Sequence, residues 1–123
     1  MSDIFSDQRK FMRACGQTSD RHNPDQFRMY CDLVREETKE LKQALAAEDT
    51  VAQLDALIDI LVVAAGAIHS LGVDAEGAWK EVMRSNFAKV DDRTGKVTRR
   101  EDGKVLKPPG WEPPRLKQFV RQP

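Results

Sequence analysis

Two clusters of carboxylates hold the side chains best suited to chemistry: Glu36, Glu37 and Glu40 in the run EETKE, and Asp55 and Asp59 in LDALIDILVVAAGAI. From Leu54 to Ile68 the two aspartates are the only charged side chains in an otherwise apolar segment. A helix apolar on nearly every side is expected to be buried. An ionised carboxylate buried without a partner is costly, so such groups stay near water, pair with cations or bind a metal. Something cationic is therefore expected opposite Asp55 and Asp59.

On a helix, residues three and four apart share a face, so Glu36 and Glu37 lie beside Glu40, and Asp55 lies one turn from Asp59. Two acidic stripes facing each other repel unless divalent cations sit between them. Hard oxygen ligands of this kind suit Mg²⁺, with Mn²⁺ as the alternative, and such ions commonly bridge protein carboxylates to substrate phosphates. The arrangement points to phosphate-ester or phosphoanhydride chemistry. Two blander readings stand beside it: EETKE alone reads as a solvated helix face, and the aspartate pair could be satisfied by Arg or Lys. His22, in a loop, and His69, on an apolar helix, are read as structural.

The elements that must position these groups follow from apolar spacing and capping residues. Ile4, Phe5, Gln8, Phe11, Met12 and Cys15 recur at helical intervals, giving a first helix from Ser2 to about Cys15 that ends at Gly16. Asn23 as N-cap and Pro24 in the first turn open a second, long helix to about Ala47. A third starts near Asp49 or Thr50 and runs to about Leu71, stopping at Gly72. A fourth, capped by Asp74, reaches about Phe87. The short connection makes the second and third helices antiparallel neighbours. Beyond them, turn signals at Thr94-Gly95 and Asp102-Gly103 separate short strand-like stretches, a hairpin or extended arm ending in the proline-rich PPGWEPP.

The chain of 123 residues fits one domain, a helical body over about 2–88 with an arm over about 89–123. Its net charge of zero is unevenly spread. Up to Met83 there are 9 basic and 15 acidic residues, and from Arg84 onward 11 and 5. A basic arm can meet nucleic acid, an anionic ligand or the acidic body of its own fold. Its basic residues lack the interleaved aromatics of a stacking platform, so no nucleic acid is expected. Cys15 and Cys31 have neither disulfide-framework nor zinc spacing and read as reduced thiols. With no apolar leader, and an apolar stretch read as too short and too interrupted by aspartate to span a bilayer, a soluble, cytoplasmic protein is expected.

EETKEL, a short acidic connection, DALIDILVVAAGAI and then WKEVMRSNFAKVD resemble the MazG-like all-α nucleoside triphosphate pyrophosphohydrolases, the superfamily that includes dimeric dUTPases and phosphoribosyl-ATP pyrophosphohydrolase. The resemblance covers roughly Pro24 to Pro114. It implies an all-α fold, a four- to five-helix MazG-like bundle with an extended or hairpin C-terminal arm. The family's E-x-x-E falls on Glu37 and Glu40, with Glu36 before it. Its second motif, usually E-x-x-D, matches at Asp59, while Ala56 stands where the acidic partner is usual and Asp55 lies one residue earlier. The resemblance thus implies Mg²⁺ held by Glu37, Glu40, Asp55 and Asp59, and Glu36 or Glu37 as general base or water-orienting group.

Asn86 and Lys89 match the family's polar and basic element for phosphate, and Lys104 and Lys107 in the arm are the further candidates. Trp111 is read as a packing residue before a base-stacking one. The implied reaction is hydrolysis of a nucleoside triphosphate between its α and β phosphorus, giving the monophosphate and pyrophosphate. Phosphoribosyl-ATP hydrolysis in histidine biosynthesis is the alternative within enzymes, and a non-catalytic helical interaction module the alternative outside them. So small a bundle leaves apolar faces exposed, so a homodimer or homotetramer is expected.

Overall fold

The computed structural model describes residues 3–120 and is all-α apart from a short hairpin. Helix α1 spans Ile4–Ala14, α2 Pro24–Ala46, α3 Thr50–Ser70 and α4 Ala75–Phe87. The hairpin strands β1 (Val90–Asp91) and β2 (Lys96–Val97) follow, and a short 3-10 helix, Leu116–Phe119, which the residue pattern did not signal, closes the described chain. The expected start of α1 at Ser2 lies outside the described residues. Chain contacts divide the molecule into two units, one ending at Ala75 and one beginning at Glu76.

The helices begin where side-chain oxygens can accept otherwise unpaired amide hydrogens. Asp3 accepts from Ser6 N at 2.8 Å, Asn23 from Gln26 N at 3.2 Å and Asp49 from Ala52 N at 3.1 Å. Pro24 occupies the first turn of α2, where its missing amide hydrogen costs nothing. After α3 the chain turns through Gly72 at φ 73°, a left-handed conformation that suits glycine. A Cβ there would also come within 2.5 Å of the His22 backbone nitrogen.

Antiparallel packing of α2 on α3 is recorded by a ladder of contacts in which one residue number rises as the other falls. Gln53 Nε2 donates to Ala44 O at 3.3 Å, Tyr30 packs against Gly66, and Gln26 Nε2 donates to Ser70 Oγ at 2.9 Å. Gly66 is required at its crossing, because a Cβ would stand only 2.6 Å from Tyr30 Cδ1. Its absence lets the buried tyrosine ring lie flush on α3. Tyr30, Met12 and Ala67 form the core, with Phe27, Leu33 and Val63 packed around them. Within it the Tyr30 hydroxyl accepts from Gln8 and donates to Gln17, so the ring's polar end is satisfied. Helix α1 closes the other side of α3, where buried His69 meets Phe5 O through Nε2 at 2.9 Å and the Phe5 ring edge-on. His69 is thus a packing residue.

Two expectations need correction here. The apolar helix α3 is not buried throughout: Val51 is 79% exposed, Leu54 61% and Leu61 52%. The contacts of α1 and α2 cover only part of a helix that is apolar on nearly every side. Nor is α3 too short to span a bilayer, since as a helix it extends beyond the apolar run to 21 residues, long and apolar enough by length and composition. It packs against both other helices of the unit and carries two carboxylates, neither of which a membrane-spanning helix requires.

In the second unit, Val90 pairs with Val97 and Asp91 with Lys96, antiparallel. The turn is closed by Gly95 N donating to Asp91 O at 2.7 Å, and a second turn at Asp102-Gly103 is bridged by Arg99 and Val105. Both turn signals therefore produced turns. The arm is tied to α4 through Glu81, which accepts from Arg84 Nε at 2.8 Å and from the backbone amide of Arg115.

Candidate metal centre

The antiparallel register brings the EETKE face of α2 opposite Asp59 of α3. Glu37, Glu40 and Asp59 each offer a carboxylate oxygen within 4.8 Å of the others. Among the described residues no Lys or Arg forms a salt bridge with any of them. Glu37 Oε2 is buried and has no hydrogen-bond partner. The group facing Asp59 is thus more negative charge, and among the described residues no cation pairs with it.

The electrostatic cost is visible in Glu37. Burial, then the hydrogen bond and charge of Glu40, then the charges of Asp59 and Glu36 push its pKa up to about 7. A carboxyl that cannot ionise cheaply, a buried oxygen with no partner and three converging oxygen donors together fit a hard divalent cation. Such an ion would convert mutual repulsion into shared attraction and satisfy the orphaned oxygen.

The other nominated carboxylates lie around this group. Glu36 is exposed and acts on Glu37 through its charge. Asp55 is exposed and outside the three-residue group. It lines an open cleft of about 310 Å³ beside it, together with Glu40, Gln43, Asp49 and Ala52. Glu40 belongs to both cluster and cleft, so a group held in the cleft meets Asp55 on one wall and a cluster carboxylate on the other. The one-residue shift from the usual spacing thus moves the second aspartate off the three-carboxylate centre and along the helix.

The nominated cations all belong to the second unit. Lys89 Nζ lies 5.2 Å and Lys107 Nζ 4.8 Å from the centroid of the Trp111 ring, both within cation–π range. Asn86 accepts from Lys89 at 3.5 Å. The Trp111 Nε1–H donates to Ser85 O at 2.7 Å, which fixes the indole on α4. Lys104 is exposed in the second turn, where its backbone amide donates to Asp102 Oδ1 at 3.1 Å and its carbonyl accepts from Arg100 N. Sequence reasoning nominated these lysines as separate charges and missed that one tryptophan gathers two of them. The cue was the PPGW turn, in which Trp111 N donates to Pro108 O at 3.1 Å and so brings the indole back toward Lys107.

A model of the phosphoribosyl-ATP pyrophosphohydrolase family matches residues 8–86. The chain belongs to this family. The matched span includes α2 and α3 with the five nominated carboxylates, and it stops before the hairpin arm. Membership places the chain in the MazG-like all-α superfamily and makes it a pyrophosphohydrolase acting on a nucleotide-like substrate. A search of curated proteins finds no match.

Proposed function

We propose that this family member is a Mg²⁺-dependent pyrophosphohydrolase that cleaves the α–β phosphoanhydride of a nucleoside triphosphate, releasing the monophosphate and pyrophosphate. The observation that carries the reading is the convergence of the Glu37, Glu40 and Asp59 carboxylates, with the buried Oε2 of Glu37 left without a partner among the described residues. Three converging oxygen donors, with no ion pair to a described Lys or Arg, are a costly arrangement in a folded protein unless a divalent ion is bound. Mg²⁺, with Mn²⁺ as substitute, would neutralise the triphosphate and lower the pKa of a coordinated water.

In this reading Glu37, Glu40 and Asp59 hold the cation, and Asp55, across the adjoining cleft from Glu40, serves a second ion or the water shell of the first. Glu36 orients the attacking water or takes its proton. Asn86, Lys89, Lys104 and Lys107 are the groups proposed to meet phosphate oxygens, Lys89 and Lys107 foremost because the arm holds them in one place. A pyrophosphate-release screen over nucleoside triphosphates with Mg²⁺ or Mn²⁺ tests the reaction. Full activity retained in Glu40→Gln or Asp59→Asn would sink the metal assignment.

The family match supports a second substrate at least as well. Phosphoribosyl-ATP, a triphosphate carrying an extra phosphoribosyl group on its base, undergoes the same cleavage and would place the enzyme in histidine biosynthesis. Including it in the screen separates the two readings, because preference is read as a ratio of kcat/KM values on the same phosphoanhydride.

The proposed enzyme is a homodimer or homotetramer. Val51, Leu54, Ile58 and Leu61 recur at helical spacing on one exposed face of α3, an apolar stripe suited to a second copy of the chain. Sedimentation gives the test: an active, stable monomer contradicts it.

A further inference from the structure

The seam between α2 and α3 repeats in matched steps. Gln26 meets Ser70, Tyr30 meets Gly66 four residues on and four residues back, and Glu37 meets Asp59 seven further on and seven further back. Leu33 and Val63 fall in the layer between and pack against the core. Steps of three and four along both helices keep one face of each turned to the other. The tyrosine and carboxylate layers therefore lie on one seam, two turns or about 10 Å apart. Beyond the carboxylates the same steps bring Ala56 and Ala52 opposite Glu40 and Ala44, small side chains that leave the open cleft of about 310 Å³. The helix separation at the carboxylates is thus set from the tyrosine side.

At the tyrosine layer a ring rests directly on the α3 backbone. A Cβ on Gly66 would stand 2.3 Å from Tyr30 Cε1 and 2.7 Å from Cζ, against about 3.5–4.0 Å for carbon atoms in contact. The ring has no room to swing aside, because it is buried and its hydroxyl is held by Gln8 and Gln17. Sliding of the helices is opposed at the next layer. There Gln26 Nε2 donates to Ser70 Oγ at 2.9 Å, Gln26 also pairs with both backbone groups of Thr18, and Asn23 N donates to Ser70 O at 2.8 Å. Bulk added at position 66 is therefore relieved by α3 moving off α2, by about 1 Å for this overlap. Mg²⁺ takes its oxygens at about 2.0–2.1 Å in near-ideal geometry, so a retreat of about 1 Å at Asp59 exceeds what such a site tolerates.

We infer that Tyr30 and Gly66 are positioning residues of the carboxylate centre: the ring seated on bare backbone sets the helix separation at which Asp59 reaches a cation shared with Glu37 and Glu40. The inference rests on the metal reading proposed above and adds to it two residues that touch neither cation nor substrate.

The test measures Mn²⁺ binding to the full chain from the free-ion EPR signal, with helical content and stability followed by circular dichroism. Gly66→Ala is expected to bind Mn²⁺ more weakly than the wild type by about ten-fold or more. Phe5→Ala, which loosens α1 from α3 without touching the seam, also loses stability but binds like the wild type. Adding Tyr30→Leu to Gly66→Ala removes the ring atoms that the methyl group meets and brings binding back to within about three-fold of the wild type. If Gly66→Ala does not fold, Tyr30→Leu carries the test, with weaker binding in the single variant and recovery in the double. Wild-type affinity in Gly66→Ala, an equal loss in Phe5→Ala, or no recovery in the double variant overturns the inference and leaves the metal reading intact. A wild type that takes up no Mn²⁺ fails the metal reading itself, and this inference with it.

Discussion

Replacing Glu37 by glutamine tests the carboxylate centre most sharply, because the metal reading predicts opposite effects on stability and on ligand response. Three oxygens within 4.8 Å of one another repel by about 3.5 kcal/mol per ionised pair at an effective dielectric of about 20. The protein avoids part of this by keeping a proton on Glu37, whose pKa rises from 4.5 to about 7. That shift corresponds to about 3.4 kcal/mol at 1.36 kcal/mol per unit. Water reaches the site, so the penalty is discounted to about 1–2 kcal/mol.

The sign follows from which state holds the proton. Between pH 4.5 and about 7 the folded chain keeps a proton that the unfolded chain has lost, so the metal-free protein loses stability as pH rises through that window. Glutamine carries no charge to lose. In EDTA at pH 8, Glu37→Gln is expected to melt about 4–8 °C above the wild type, at about 4 °C per kcal/mol for a domain of this size. The two should converge near pH 4. With Mg²⁺ at about a hundred times its dissociation constant the wild type gains about 2.7 kcal/mol, or about 10 °C, and the variant gains little. Differential scanning fluorimetry reads both quantities. A variant less stable than the wild type in EDTA at pH 8, or one that keeps the full Mg²⁺ shift, would refute the reasoning.

Gly66→Ala should cost about 1–3 kcal/mol in chemical denaturation by driving a methyl group into the Tyr30 ring, and by prying α2 from α3 it should also lower pyrophosphate release. Trp111→Phe keeps a ring but leaves the Ser85 carbonyl without its donor, an expected loss of about 1–3 kcal/mol in the arm's unit, measurable as faster amide exchange there. Glu81, held down to a pKa of about 2 by Arg84 and by the Arg115 amide, stabilises the folded arm above pH 4.5 and loses that contribution as pH falls toward 2. The melting difference between the wild type and Glu81→Gln should accordingly shrink over that window. Leu54→Glu paired with Leu61→Glu should shift sedimentation toward the monomer if the exposed stripe on α3 joins two copies.

Much of the fold was legible because its signals are local. Asn23 and Asp49 start helices by accepting from amides three positions away, Pro24 fits the first turn without an amide hydrogen, and Gly72 stops a helix through its own dihedral angle. The pairing of Glu37 and Glu40 with Asp59 was legible for a related reason, since a short connection between two long helices fixes their direction and roughly their register. What could not be read is what depends on side chains meeting across distance. Asp55 shares a face with Asp59 by count, yet whether it enters the centre depends on how far each helix turns against the other, which Gly66 and Tyr30 set. The gathering of Lys89 and Lys107 needs a hairpin and a proline turn to bring residues 18 apart to one ring.

Helix α3 shows why an apolar pattern alone misleads about burial. Its residues meet three different demands: Gly66 and Ala67 close the core, Asp59 faces α2, and Val51, Leu54 and Leu61 face outward. A helix packed on every side within one chain would have no access for a charged substrate to reach Asp59. One left apolar and bare would cost solubility. The proposed second copy of the chain would cover that outward stripe. If it does, self-association and catalysis are coupled through one helix. Charged substitutions at Leu54 and Leu61 should therefore reduce Mg²⁺-dependent turnover along with the oligomer, although neither side chain belongs to the carboxylate centre.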